Sequence, residues 1–371
     1  MTVVIPIVAG IGNALLAVPM VRQLKRARPY ARITILARIE AMAEIFRRLP
    51  EVDEVVVTGG GMKGNAASVS AARTRCAEVY LVPFPSNRWQ YSLLAFTSGA
   101  KRRILHAYPV GYWRALHVLP STRVPSQRGI HDVVQNLNLL RALDIEPDVT
   151  DAPAFAVNDV DRAKADDLLA LAGITKGEPF IVVHAGSANT VLARAKRWPA
   201  ANYAKLIDAM TREFQLPVAL VEGPAEAGVA SEITLHLPKS DARVVTVPLR
   251  GSLGDAAALL ARATLYVGSD SGLTHLAAAV GTPPVTLFGP ADPDRVSPFG
   301  YRDLVVQPPP PCGPCFLYPW EAAYPKMRCH ADHRCIERVT VESVMSAIHR
   351  ASIPKKGDSH GFSNLGQRSG L

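Results

Sequence analysis

The stretch that most constrains this chain is residues 265–287, LYVGSDSGLTHLAAAVGTPPVTL. An apolar run at 265–267 stops at the polar turn Gly268-Ser-Asp-Ser-Gly272, and a small-residue helical pattern follows over 275–280. A second apolar run at 284–287 comes after the Gly281-Thr-Pro-Pro segment. Strand, glycine-rich turn, helix and strand make a βαβ unit whose polar residues gather at the carboxyl end of its first strand. In open α/β sheets ligands bind at that edge, and the unpaired N–H groups of the helix start favour an anion such as a phosphate. Asp270 or Ser271 alone would suffice to cap a helix, and His275 could serve as a packing histidine. A cap needs only one such residue, whereas this turn carries Asp270, Ser271, Gly272 and His275 together.

The same alternation runs through the chain. Residues 2–9 are largely apolar and end at Gly10-Ile-Gly12-Asn13, with an amphipathic helical pattern over 14–26. Strands are expected at 31–37, 54–58 and 78–83, the last running into Pro85-Ser86-Asn87-Arg88. Residues 102–128, rich in Tyr, Pro and Arg, are expected to form a loop, and 131–143 a helix. A linker with Pro147, Pro153 and several Asp spans 146–160. The pattern then restarts with a helix at 160–171, a strand at 179–184, a loop at 185–199, a helix at 202–214 and a strand at 217–222. Gly223-Pro-Ala-Glu226 opens another helix, and a strand at 244–248 and a helix at 253–263 lead into the 265–287 unit. Residues 307–335 are irregular, 341–351 are helical, and 353–371 have a disordered composition.

Strands separated by helices predict α/β architecture with parallel, doubly wound sheets. The expected domains are residues 1–152 and 153–352, followed by the tail 353–371. Two such domains would set a cleft between their strand ends, suited to an enzyme that holds a donor on one side and an acceptor on the other.

The chain of 371 residues is long enough for two cored domains. No apolar run approaches the roughly 20 residues that span a bilayer. The apolar N-terminus lacks a basic leader, and its Gly10-x-Gly12 turn interrupts the run, so a buried first strand and a cytoplasmic protein are expected. The net charge is +9, with basic residues in short groups such as Lys101-Arg102-Arg103. A basic stripe with interleaved aromatics, the footprint of nucleic-acid binding, is not apparent, so no nucleic-acid partner is expected. Anionic lipid or an acidic acceptor is the more economical partner for that charge, although solubility alone could account for it.

Three ordered motifs carry a family likeness: Gly10-Ile-Gly-Asn-Ala-Leu-Leu-Ala-Val-Pro19, Lys196-Arg-Trp-Pro199 and Asp270-Ser-Gly-Leu-Thr-His275. With them the chain resembles the heptosyltransferase family, glycosyltransferase family nine, over nearly its whole length to about residue 351. The resemblance implies the GT-B fold, two facing Rossmann-like domains, with the acceptor on the N-terminal one and the donor on the other. It also implies inverting transfer of heptose from ADP-heptose to a lipopolysaccharide inner-core acceptor, lipid-linked or anionic, by a cytoplasmic protein or one peripheral on the inner membrane face. No metal cofactor is implied.

Without a metal, positive charge must come from the protein to hold a diphosphate and stabilise its departure. Lys196 matches the family's phosphate-binding lysine, and Arg197 could assist it or form with it a solvated pair. Glu226 matches a carboxylate that accepts the ribose hydroxyls, or simply favours a helix start. By resemblance, Ser271 and the amides of Gly272 and Leu273 bind the diphosphate, while Asp270 and His275 face the diphosphate or sugar. Ser271 keeps the hydroxyl of the threonine found in some members.

The first loop departs from the pattern. Inversion needs a base to take the acceptor's proton, and members commonly carry aspartate where this chain has Asn13, an amide that cannot serve. The first acidic residue is Glu40. His131 and Asp132 are candidates for a relocated base, with Asn13 left to orient the acceptor hydroxyl. Ser86, Asn87 and Arg88, together with Lys101, Arg102 and Arg103, could hold an anionic acceptor or be ordinary loop and surface charge. Cys312, Cys315, Cys329 and Cys335 cluster near His330 and His333, which points to a structural metal, but the wider spacing of the second pair fits that signature imperfectly and favours free thiols. Cys76 stands apart as a core cysteine. Two other functions stay open: a nucleotide-sugar-binding protein that has lost transfer because of Asn13, and a different GT-B enzyme such as a nucleotide-sugar epimerase.

Overall fold

The computed structural model describes residues 1–109, 115–186, 195–239, 243–317, 319 and 334–353. The expected tail beyond residue 353, and Cys329, His330 and His333, lie outside the described residues. The chain divides into two compact units, the first built on Met1–Ala156 and the second on Val157–Phe316 together with the closing helix; Leu317 and Pro319 group with the first.

In the first unit the strands are β1 (Thr2–Ile7), β2 (Arg32–Ala37), β3 (Glu54–Val57), β4 (Val79–Leu81), β5 (Arg102–Ala107) and β6 (Thr122–Pro125). The helices are α1 (Ile11–Leu16), α2 (Val18–Ala27), α3 (Glu40–Arg47), α4 (Gly61–Thr74), α5 (Trp89–Thr97) and α6 (Asp132–Asn138). The sheet runs β3-β2-β1-β4-β5-β6, every pairing parallel. Apolar strand faces bury Val4, Leu36, Tyr80 and Leu105 against Ala71, Ala72 and Ala95 of α4 and α5.

The second unit holds α7 (Asp159–Leu171), β7 (Ile181–His184), α8 (Ala200–Phe214), β8 (Val218–Glu222), α9 (Val229–Leu235), β9 (Val244–Pro248) and α10 (Leu253–Arg262). After these come β10 (Leu265–Ser269), α11 (Gly272–Ala279), β11 (Pro284–Leu287), α12 (Pro293–Val296), β12 (Val305–Val306) and α13 (Val341–Arg350). Its sheet runs β12-β11-β10-β7-β8-β9, again all parallel. Counted from its own first strand, this is the order of the first sheet read from the opposite edge. Both are the dinucleotide-binding order, in which the winding reverses between first and fourth strands and opens a ligand crevice at their carboxyl ends. The reversals fall between β1 and β4 and between β7 and β10.

The expected fold class holds, with local differences. Two strands, β5 and β6, lie inside the expected 102–128 loop. The first opens on two arginines and the second ends in proline at the sheet edge, so neither carries the apolar signature of an inner strand. The helical pattern over 14–26 breaks at Ala17, where Pro19 begins a second helix with a first-turn proline. Glu226 ends a 3-10 turn, Pro224–Glu226, and the helix itself starts only at Val229. Among the described residues no helix is long and apolar enough to cross a membrane.

Candidate functional site

In the second unit the residues expected around a donor converge on the β7/β10 reversal. Strand β10 is buried throughout, and the backbone N–H of Asp270 donates to Leu287 O at 3.1 Å, closing the turn. Ser271 takes extended backbone as N-cap of α11; its side chain makes no bond to a capped amide, and its Oγ lies 3.4 Å from Thr274 Oγ1. Gly272 and Leu273 open α11 with first-turn amides, free of intrahelical partners as in any helix start. Thr274 braces the turn by donating to Ser269 O at 2.7 Å.

Lys196 Nζ donates to Asp270 Oδ2 at 2.6 Å, the aspartate largely buried and the lysine partly exposed. Its neighbour Arg197 serves the other half of the site, because its charge helps keep the Glu226 carboxyl ionised. Trp198 fixes that loop: it is 3% exposed, its Nε1 donates to Val339 O at 2.9 Å, and it meets Tyr203 edge-on at 5.1 Å.

Glu226 is held from several sides. His184, the last residue of β7, has Nε2 2.8 Å from Glu226 Oε2, and the Gly223 amide donates to the same oxygen at 3.3 Å. Burial pushes the carboxyl up, but His184, the Gly223 amide and Arg197 outweigh it and leave Glu226 below the usual range, ionised at neutral pH. His184 Nδ1 lies 3.1 Å from the Tyr266 hydroxyl, and that hydroxyl lies 3.3 Å from Thr274 Oγ1. With the tyrosine donating to Nδ1, the ring carries its proton on Nε2 and donates to Glu226. Gly186 leaves room for this pair, since a Cβ there would overlap the Glu226 carboxyl and oblige it to move.

His275 is 8% exposed, and its Nδ1 is buried without a hydrogen-bond partner among the described residues. Burial lowers its pKa, the Asp270 charge opposes that shift and Lys196 adds to it, so the ring is neutral at pH 7. A buried orphan nitrogen is the kind of group that a ligand satisfies.

The first unit gathers another set at its β1/β4 reversal. Asn13, half-buried in the first turn of α1, makes no hydrogen bond among the described residues. The loop after β4 carries Ser86, which is buried, its amide donating to the Tyr108 hydroxyl at 2.6 Å. Asn87 Nδ2 donates to Pro319 O at 2.9 Å, and Arg88 is exposed as N-cap of α5. His131 caps α6 by accepting the Val133 amide on Nδ1 at 3.2 Å, and Asp132 is buried. One residue absent from the sequence expectations ties these pieces together: Asn136 donates to Leu16 O at 3.0 Å and accepts the Phe84 amide at 2.7 Å. Lys101, Arg102 and Arg103 do not join them. They lie at the start of β5, paired beside Val79 at the start of β4, so the sheet separates them from Ser86 to Arg88 beyond the end of β4.

The cysteines form no assembled centre among the described residues, where no group of three or more His, Cys, Asp or Glu could hold a metal ion. Cys312 and Cys335 are buried beside Ala195, and Arg338 Nη1 donates to Cys312 Sγ at 3.3 Å. Cys76, expected in the core, is exposed in a left-handed turn after α4 with φ 47°.

Comparisons with known proteins bear on the family and the fold. Residues 87–322 match the model of glycosyltransferase family 9 (heptosyltransferase). Lipopolysaccharide heptosyltransferase 3 of Escherichia coli K12 is 29% identical over 297 residues, 76% of this chain and 80% of that protein. Lipooligosaccharide heptosyltransferase 2 of Haemophilus influenzae is 36% identical over 115 residues, 30% of this chain and a third of that protein's length. The structure of Escherichia coli ADP-heptose LPS heptosyltransferase II superposes with a TM-score of 0.70 at 20% identity, covering 95% of this chain and 98% of that one. With its doubly wound parallel sheets and a family match over more than half its length, the chain belongs to glycosyltransferase family 9, the heptosyltransferases.

Proposed function

We propose that this protein transfers heptose, with inversion, from ADP-heptose to a lipopolysaccharide core-type acceptor, the second unit holding the donor and the first the acceptor. The observation that carries the proposal is the convergence of Lys196, Asp270 and the α11 start with Glu226 at one sheet reversal. Anionic phosphates suit Lys196, which Asp270 holds in place, and the α11 start, and paired ribose hydroxyls suit a carboxylate whose ionised form is already stabilised. The relatives are heptosyltransferases, and the Escherichia coli structure is an ADP-heptose enzyme.

In this account the bond from the anomeric carbon to the diphosphate oxygen breaks with its electron pair passing to ADP. Lys196, the Ser271 hydroxyl and the Gly272 and Leu273 amides receive that charge. His275, neutral and with Nδ1 unengaged among the described residues, is the fourth residue of α11 and is assigned to the donor side. The acceptor hydroxyl attacks the opposite face of the anomeric carbon and passes its proton to a base on the first unit. Asn13 orients that hydroxyl. Of the two candidate bases, His131 has Nδ1 committed to the Val133 amide, which puts the neutral ring's proton on Nε2 and makes that nitrogen a donor. Asp132, beside it and buried, is the carboxylate candidate.

Asn13 also supports a second reading, a donor-binding protein without transfer. ADP release measured with ADP-heptose, ADP-glucose and UDP-sugars, with and without heptose-free core acceptor, separates the two. Acceptor-dependent ADP release from ADP-heptose is expected; donor binding with no release on any acceptor would establish the second reading.

A further inference from the structure

Helix α5 is inverted in character on its solvent side. Trp89, Leu93 and Phe96, spaced i, i+4 and i+7, fall on one face and are 48%, 38% and 42% exposed, whereas Ser92, Leu94 and Ala95 are buried. A surface helix ordinarily shows charge where this one shows two aromatic rings around a leucine. The stripe begins directly after the Ser86-Asn87-Arg88 loop and ends beside β5, where the Arg103 guanidinium stacks over the Phe96 ring at 5.6 Å.

The charge around it is one-sided. Residues 79–131 contain no Asp or Glu but seven Lys and Arg. Arg88 at the head of α5 and Lys101 past its tail are exposed, whereas Arg102 donates to Ala142 O. We infer that the solvent-facing stripe of α5 docks this protein onto an anionic lipid surface, with Trp89, Leu93 and Phe96 entering the headgroup region and the flanking basic residues meeting lipid phosphates. Apolar side chains rimmed by cations satisfy both halves of an interfacial contact, and tryptophan favours that depth. A contiguous patch with leucine at its centre suits acyl chains better than separate base-stacking rings would. Docking there brings the bilayer to the loop assigned to the acceptor, so its purpose, though not its measurement, rests on the proposed function.

Flotation of the full chain with vesicles measures docking without turnover. Partition onto phosphatidylethanolamine–phosphatidylglycerol vesicles is expected to exceed that onto neutral phosphatidylcholine by roughly tenfold or more and to weaken in high salt. The triple variant Trp89→Ser, Leu93→Ser, Phe96→Ser is expected to lose that partition, and Lys101→Glu to weaken it several-fold, both with unchanged circular dichroism. As an independent arm, the triple variant should transfer to a soluble, delipidated acceptor at the wild-type rate and slow only on acceptor embedded in vesicles. Absence of transfer by both proteins on the soluble acceptor counts against the enzymatic proposal and leaves docking to flotation. Equal partition of wild type onto anionic and neutral vesicles, or of wild type and triple variant, overturns the inference. So does a wild-type dimer that the triple variant converts to monomer, or tighter binding to single-stranded RNA than to vesicles.

Discussion

His184 Nε2 lies 2.8 Å from Glu226 Oε2, while its other ring nitrogen lies 3.1 Å from the Tyr266 hydroxyl. Tyrosine, histidine and carboxylate therefore form one relay joining the turn after β8 to the strand before the Asp270 turn. In the proposed donor site His184 is a positioning residue: it fixes the carboxylate proposed to meet the ribose without touching the reacting atoms. Replacing His184 with alanine should raise the donor KM about tenfold or more, the worth of one charge-assisted hydrogen bond, and leave kcat within about threefold. The double variant with Glu226→Ala should be no worse than Glu226→Ala alone. Steady-state kinetics on the four proteins give the cycle, and additive losses would separate the two residues.

Gly186→Ala tests the same pair from outside. The added methyl overlaps the Glu226 carboxyl, so the donor KM should rise while the melting temperature moves little, because the carboxylate can swing toward solvent. An unchanged KM would mean that Glu226 does not face the donor.

Lys196→Met should lower kcat/KM by about two to three orders of magnitude, the usual cost of removing a group that stabilises developing charge. Lys196→Arg should recover part of this, since its guanidinium can also reach phosphate. Thermal melts of Lys196→Met should stay near wild type, because the pair it forms with Asp270 is partly exposed.

Transfer by Asp132→Asn should fall by about two orders of magnitude or more while that of His131→Ala falls less, with donor affinity kept in both. Single-turnover rates and donor titration make the comparison. Near-normal rates in both variants would remove this turn from the chemistry.

His106 offers a measure of stability in the first unit. It is fully buried, edge-on to Phe84 at 5.2 Å, and desolvation holds its pKa at about 4 against an ordinary 6.5. Between those values the unfolded chain binds a proton that the folded chain refuses. The stability from its neutral burial is complete above pH 6.5 and falls by about 3 kcal/mol as pH drops toward 4. His117 and His275, also lowered by burial, tilt the curve the same way. Chemical denaturation of His106→Gln across this window should show a flatter slope than wild type.

What could be read from sequence was what lies contiguous in it. Asp270 to His275 and Lys196 to Pro199 are short polar motifs interrupting apolar runs, and they do meet in the fold. His184 and Tyr266 were invisible because they end or line strands and read there as ordinary strand residues; only the parallel pairing of β7 with β10 sets them side by side. Asn136 was hidden inside a helical pattern, and its two backbone partners lie 120 and 52 residues away. Lys101 to Arg103 were grouped with Ser86 to Arg88 by proximity in sequence. The direction of β5 parts them, since a parallel strand must begin at the end where its neighbour begins.

The most direct test is the product formed when purified protein meets ADP-heptose and a heptose-free lipopolysaccharide core, read by mass spectrometry and proton NMR. The account predicts an acceptor one heptose heavier, its new linkage of anomeric configuration opposite to the donor's, with one ADP released per transfer. An unmodified acceptor beside tightly bound, intact donor would contradict it, as would a product that retains the donor's configuration.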